Sequence, residues 1–243
     1  LTTDCAKMTG VLAERFHGHP ARRLKIVGIT GTNGKTTPAC IVHHLLNASG
    51  LRCGLLSTIE VDAGGERRPA SLTTPGACEI SATLAQMVRH GCTHAVMECS
   101  SHALAQRRTD AIDFDIAVFT NLTGDHLDYH ESMEAYAAAK ARLFESLGPQ
   151  SLALLNRDDP YWRKMVVNCR ARIEDFSAQD NGDAVYVAKA CRMTAAFTGV
   201  DMLLPFGQIC VRSPLIGQHN VSNLIAALTV ALNLGVHGRD AFD

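Results

Sequence analysis

The chain has 243 residues, 47% of them apolar and 19% charged, with a formal net charge of −1. That length holds one large domain or two small ones with ample core, and the balance excludes wholesale disorder. There is no polybasic field to engage nucleic acid or an anionic membrane, and the longest apolar runs fall short of the ~20 residues of a spanning helix. No charged-then-apolar leader opens the chain. The nine cysteines are odd in number and no two stand in a C-x-x-C spacing. This argues for reduced, buried thiols in a cytoplasmic protein, against a disulfide framework or a four-thiolate zinc site.

Residues 1–23 carry a short amphipathic helix signal at Met8, Leu12 and Phe16, then a turn at His17-Gly18-His19-Pro20. Residues 24–30 are a compact apolar run rich in β-branched side chains, the pattern of a buried parallel strand. Helical spacing follows over 36–49, with Gly50 as its stop. The alternation repeats: strand 51–58, helix 79–90, strands 93–99 and 115–120, helix 132–147, strand 151–155, helix 160–169 and strand 172–176. Such alternation predicts an α/β fold with a doubly wound, mostly parallel sheet. Residues 183–213 differ, reading as a small antiparallel meander, and a last helix covers 220–234 before Gly235. The chain opens on Leu1 rather than Met and stops soon after that helix, so it reads as a domain of a longer protein.

The strongest motif is Gly28-Ile29-Thr30-Gly31-Thr32-Asn33-Gly34-Lys35-Thr36-Thr37, between a predicted strand and a predicted helix. Glycines there let backbone N–H groups turn toward an anion, and the helix N-terminus adds partial positive charge. Lys35 can bridge β- and γ-phosphates and the Thr36 hydroxyl can ligate Mg²⁺. The spacing departs from the general phosphate-loop pattern, because Ile29 stands where the first glycine belongs. Glu98 ends an apolar strand and so falls at the carboxyl edge of the sheet, a suitable oxygen ligand for Mg²⁺. The stretch 120–130 (TNLTGDHLDYH) also follows a strand and offers His126 among acids and imidazoles. Lys140 lies four residues after Tyr136 and four before Phe144, on the inward face of its helix. An inward lysine needs an acid partner, an escape to the surface, or a depressed pKa; as a neutral amine it can take up CO₂ as a carbamate.

The string Gly31-Thr32-Asn33-Gly34-Lys35-Thr36-Thr37 resembles the Mur ligases, ATP-dependent amide ligases of peptidoglycan synthesis, and their relative folylpolyglutamate synthase. Nearly all of 24–235 can be laid along the central domain of that family. The resemblance implies that Lys35, Thr36, Thr37 and the loop residues bind ATP. It implies that Lys140 (in Tyr136-Ala-Ala-Ala-Lys140) carries a CO₂-derived carbamate and, with Glu98, His126 and Thr36, surrounds Mg²⁺. Gly217-Gln218-His219-Asn220-Val221-Ser222-Asn223 resembles the segment that meets the base or ribose, through His219, Asn220 and Asn223; Asn220 or His219 would also serve as a helix N-cap. Leu72-Thr73-Thr74-Pro75, Ser100-Ser101-His102-Ala103-Leu104 with Gln106 and Arg108, and Asp125-His126-Leu127-Asp128-Tyr129-His130 resemble the branch that adds a third amino acid to UDP-MurNAc-dipeptide. Thr73, Thr74, Ser100, Gln106 and Arg108 would then hold that substrate. Leu72 replaces an asparagine usual before the Thr-Thr pair.

On this resemblance, residues 1–23 are the end of a truncated N-terminal UDP-binding domain and linker, 24–243 are the central ATP-binding domain, and an amino-acid-binding C-terminal domain is absent. The implied partners are small molecules (ATP, UDP-MurNAc-dipeptide, and diaminopimelate or lysine), with no nucleic acid or membrane, for a cytoplasmic monomer. Three rivals stand: a folylpolyglutamate synthase-like ligase, a P-loop kinase or GTPase, and a regulatory domain that only binds nucleotide. The second expects a Walker B Asp or an Asn-Lys-x-Asp string, neither of which is present.

Overall fold

A computed structural model describes residues 4–179 and 183–236. The ends of the expected units, 1–3 and 237–243, and part of 183–213's approach, 180–182, lie outside the described residues. The chain runs α1 (Cys5–Phe16), a 3-10 turn (Pro20–Arg23), β1 (Lys25–Thr30), α2 (Thr36–Ala48), β2 (Cys53–Leu56), β3 (Glu60–Asp62) and β4 (Arg67–Pro69). Next come α3 (Ala77–Arg89), β5 (His94–Glu98), α4 (Ser101–Ala105), β6 (Ile116–Phe119), α5 (Leu127–His130), α6 (Met133–Glu145) and β7 (Leu152–Asn156). It closes with α7 (Trp162–Met165), β8 (Arg172–Ser177), β9 (Tyr186–Met193), β10 (Thr198–Leu204), β11 (Gly207–Ser213) and α8 (Gln218–Asn233).

The described strands form one sheet in the order β11-β10-β9-β8-β7-β6-β1-β5-β2-β3-β4. From β9 to β2 the neighbours are parallel. β10 and β11 extend one edge antiparallel, so the expected meander is continuous with the main sheet. The β3–β4 hairpin extends the other edge. β1 sits centrally, with β5 on one side and β6 on the other; the chain leaves β1 through α2 toward β2 on the β5 side, and leaves β5 through α4 toward β6 on the other side. This is the switch point at which open α/β sheets bind ligands.

Side-chain alternation sends Val27, Ile29, Val96, Val118 and Leu154 to one face, against α2 and α8. Ile26, Ala95, Met97, Ala117, Phe119 and Leu155 go to the other, with α3 and α6. Both faces are covered, which is why these strands read as continuous apolar runs instead of alternating ones. Gly50, Gly91 and Gly235 follow helix ends in left-handed backbone, as the stops require.

The structure trims several sequence-derived elements. The strand expected over 51–58 is paired only at Cys53–Leu56, since Ser57 turns back through its hydroxyl to Glu60. The helix expected over 160–169 shrinks to Trp162–Met165; Asp159 accepts from the amide of Tyr161 and holds the preceding residues in a turn. The last helix starts at Gln218 with Gly217 as N-cap, and neither His219 nor Asn220 caps it. No helix among the described residues is long and apolar enough to cross a membrane.

Phe144, wholly buried under the sheet, should be worth about 3–5 kcal/mol when cut to alanine. Leu12→Ala, on the exposed side of α1, should stay within about 0.5 kcal/mol. Urea unfolding of the two variants checks this contrast.

Candidate active site

β1 ends at Thr30, whose hydroxyl donates to the Cys99 carbonyl at the end of β5, 2.7 Å away. The chain then leaves the sheet through Gly31–Gly34 and enters α2 at Thr36. The loop is pinned by the segment that follows β6. Thr32 N–H donates to the Asn121 carbonyl (2.8 Å) and Asn33 N–H to Asn121 Oδ1 (2.9 Å). The Thr120 hydroxyl donates to the Asn33 carbonyl at 2.6 Å. A Cβ at Gly31 would overlap that hydroxyl, so only glycine lets the two segments meet. Gly34 has φ +70°, and a Cβ there would lie 2.6 Å from Asn223 Oδ1 on α8. Asn223 in turn donates to Asn220 Oδ1 at 3.1 Å. Asn220 and Asn223 are buried, while His219 is exposed. Lys35 Nζ donates to the Gly31 and Thr32 carbonyls at 2.9 and 2.8 Å. Burial lowers its pKa, opposed by the charges of Glu98 and Asp125.

Glu98 lies opposite Ile29 in the β1–β5 register, so its side chain leaves on the α2 face of the sheet. It is 0% exposed. The amide of Thr58 donates to Oε1 at 2.8 Å and the Thr58 hydroxyl to Oε2 at 3.1 Å. Among the described residues no cationic side chain forms an ion pair with it. A buried carboxylate without a cation is costly, and this one stands beside a phosphate loop.

Lys140 approaches from the opposite face. It is 1% exposed on α6, between Tyr136 and Phe144 as the i, i+4 spacing requires. Its Nζ lies 4.4 Å from the centre of the Tyr136 ring. Neither an acid partner nor an escape to the surface resolves its burial. Instead its pKa falls to about 6, through burial first and the Lys35 charge second, with Asp125 opposing. Tyr136 ties this lysine to the phosphate loop, its hydroxyl lying 3.1 Å from Thr32 Oγ1. His130 stacks on Tyr136 with ring centres 4.9 Å apart, and its Nε2 is buried without a hydrogen-bond partner. His126 is half-exposed, 3.5 Å from Asp125, with its ring 4.9 Å from that of His102. Burial lowers the pKa of both His102 and His130. No three His, Cys, Asp or Glu side chains among the described residues stand close enough together to hold a metal ion. Of the expected ligands only Glu98 and His126 are of those types; Thr36 and Lys140 make up the rest.

The expected substrate residues fall together. The Arg108 guanidinium donates to the Thr74 carbonyl (2.8 Å) and, from Nε, to Gln106 Oε1 (2.9 Å). Thr74 is buried and its hydroxyl is engaged, donating to the Glu98 carbonyl and accepting from Ser100 N–H. Ser100 caps α4 by accepting from Ala103 N–H. Thr73 stands 3.1 Å from the Thr58 hydroxyl. Sequence reading passed over Thr58 and His102 as site residues, offered Asn121 and His130 only within the candidate stretch 120–130, and took Tyr136 only as part of an apolar stripe. Thr58 and Asn121 each follow a strand in a position that a site at the carboxyl edge would have flagged.

Residues 29–231 match the Mur ligase middle domain. The chain belongs to the Mur ligase family. A UDP-N-acetylmuramoyl-L-alanyl-D-glutamate–2,6-diaminopimelate ligase of Pseudomonas aeruginosa is 41% identical over 231 residues, 95% of this chain and 47% of that protein. The enzyme of the same name from Geobacillus kaustophilus is 39% identical, covering 97% of this chain and 49% of that protein. The chain thus spans about half the length of the curated relatives it matches. A solved structure of a ligase of that name superposes with TM-score 0.87 at 32% identity, over 100% of this chain and 50% of that one. The folylpolyglutamate synthase of Mycobacterium tuberculosis shares the fold, with TM-score 0.79 at 19% identity over 97% of this chain and 62% of that one.

The buried lysine gives this Mur ligase domain a pH signature. Unfolded, Lys140 binds its proton near 10.5; folded, near 6. Between those values the unfolded state holds more protons, so stability rises with pH. In CO₂-free buffer, Lys140→Met should flatten that rise and stabilise the chain most at the acidic end. Equal pH slopes in parallel thermal melts would refute the assignment.

Proposed function

We propose that this chain is the ATP-binding core of an amide ligase that joins diaminopimelate to UDP-MurNAc-L-alanyl-D-glutamate in peptidoglycan synthesis. The observation that carries the reading is the meeting of the glycine-rich loop 31–37 with the buried, cation-free Glu98 at one sheet edge. The relatives' names favour diaminopimelate over lysine. In this reading residues 1–23 end an N-terminal UDP-binding unit, whose contact the exposed Leu12 and Phe16 of α1 support. Residues 24–243 form the central domain, and the incoming amino acid is bound outside this chain. The enzyme works as a cytoplasmic monomer.

The loop amides of Gly31, Gly34 and Lys35 and the amides opening α2 at Thr36 and Thr37 receive the phosphates, while Asn121 holds those of Thr32 and Asn33. Lys35 exchanges two carbonyls for phosphate oxygens. His219, Asn220 and Asn223 flank the nucleoside end, since Asn223 already meets Gly34. Arg108, Gln106, Ser100 and Thr73 orient the dipeptide, while Thr74 holds Ser100 in place. The D-Glu carboxylate attacks the γ-phosphorus, ADP leaves, and the acyl phosphate forms; the amine then displaces phosphate to give the amide. Lys35 and the loop amides disperse the charge that builds on the transferring group.

The donor set suits a hard cation: Glu98 and Thr36 offer oxygen and His126 an imidazole. The neutral Lys140 amine adds to CO₂ and loses a proton, which turns the nitrogen into a carboxylate-bearing carbamate. These four residues would hold magnesium, which would supply neutralisation of phosphate charge.

Titration with a non-hydrolysable ATP analogue tests the nucleotide site. Mg²⁺ should tighten binding, and Lys35→Ala or Glu98→Gln should weaken it roughly 10-fold or more. Binding indifferent to Mg²⁺ and to both changes would contradict the reading. The longer polypeptide carrying this sequence should release ADP only with both UDP-MurNAc-L-alanyl-D-glutamate and diaminopimelate present. The 243 residues alone should release none.

A further inference from the structure

Glu98 sits at the end of a strand, wholly buried, and one residue supplies the hydrogen bonds to both of its oxygens. That residue is Thr58, two positions beyond β2, across the parallel β2–β5 pair. Its amide meets Oε1 and its hydroxyl meets Oε2, so the carboxylate plane is fixed at two points. The same hydroxyl lies 3.1 Å from Thr73 Oγ1. A hydroxyl has one proton to give. Thr58 is the donor in both contacts, to Thr73 Oγ1 and to Glu98 Oε2, so these two acceptors compete for its one proton.

We propose that Thr58 is a positioning residue that aims Glu98 at the cation, with Thr73 of the dipeptide site competing for the Thr58 hydroxyl proton. The proposal rests on the reading of Glu98 as a cation ligand. Thr58 touches neither cation nor substrate; it acts through Glu98. Partners that orient a ligating carboxylate typically carry a large share of the site's affinity.

The test is Mn²⁺ binding to this chain in the presence of a non-hydrolysable ATP analogue, read by electron paramagnetic resonance. Thr58→Val keeps the shape and the amide but removes the hydroxyl, and should weaken Mn²⁺ roughly 10-fold. Thr58→Ser restores the hydroxyl and should restore the affinity. Affinity for the nucleotide without metal should be the same in all three proteins, which a general folding defect would not leave untouched. Thr73→Val removes the competing acceptor and should leave Mn²⁺ binding unchanged or tighter. The Thr58→Val, Thr73→Val double variant should bind as Thr58→Val alone does, because Thr73 acts through Thr58. Unchanged or tighter Mn²⁺ binding in Thr58→Val overturns the proposal, as do equal losses in Thr58→Val and Thr58→Ser, weaker binding in Thr73→Val, or a double variant that differs from Thr58→Val. If wild type binds no Mn²⁺ with nucleotide, or Glu98→Gln leaves wild-type affinity intact, the reading of Glu98 fails instead.

Discussion

The register between β1 and β5 governs this site. Ile29 lies opposite Glu98, so the carboxylate leaves the sheet on the α2 face, one residue before the strand that feeds the phosphate loop runs out. Side chains alternate with a period of two, so a slip of one residue would turn Glu98 to the other face. The same register places Cys99 opposite Thr30, whose hydroxyl closes the gap between the two strand ends. Val27 and Val96, paired in that register and buried on the same face, hold it in place.

Around that register the site is assembled from both sides of the sheet. Glu98 and α2 come from one face. Lys140, Tyr136 and the imidazoles of His102, His126 and His130 come from the other, and the loop 31–37 spans the edge between them. Lys140 is the expensive member of this arrangement. A buried ammonium beside Lys35 is disfavoured twice, by desolvation and by like charge. The neutral amine that remains is a nucleophile, and its conversion to an anion would turn repulsion by Lys35 into attraction, leaving the desolvation cost for a cation to offset. Tyr136 links the position by one hydroxyl to the glycine-rich loop.

Local chemistry made part of this legible in the sequence. Gly31 and Gly34 stand where close approach and positive φ demand them, and Lys35 follows in a strand–loop–helix context. Lys140 betrayed its burial through the i, i+4 spacing to Tyr136 and Phe144. Glu98 showed itself as a charge ending an apolar strand. What stayed hidden depends on pairing between distant segments. Nothing local ties Thr58 to Glu98 or Asn223 to Gly34, because the order of strands in the sheet is not written in any one of them. The β3–β4 hairpin escaped because three-residue strands, one of them the exposed Arg67-Arg68-Pro69, carry no period-two signal. α5 escaped because His126 and Glu131 bound it in left-handed backbone, where a glycine would have marked the ends.

A crystal structure grown with Mg²⁺, bicarbonate and a non-hydrolysable ATP analogue tests the central claim most directly. The account predicts phosphates within the loop 31–36, Lys35 swung off the Gly31 and Thr32 carbonyls, and planar density beyond Lys140 Nζ facing a metal shared with Glu98 and His126. Phosphates bound away from that loop, or a bare Lys140 amine with no metal at Glu98, would contradict it.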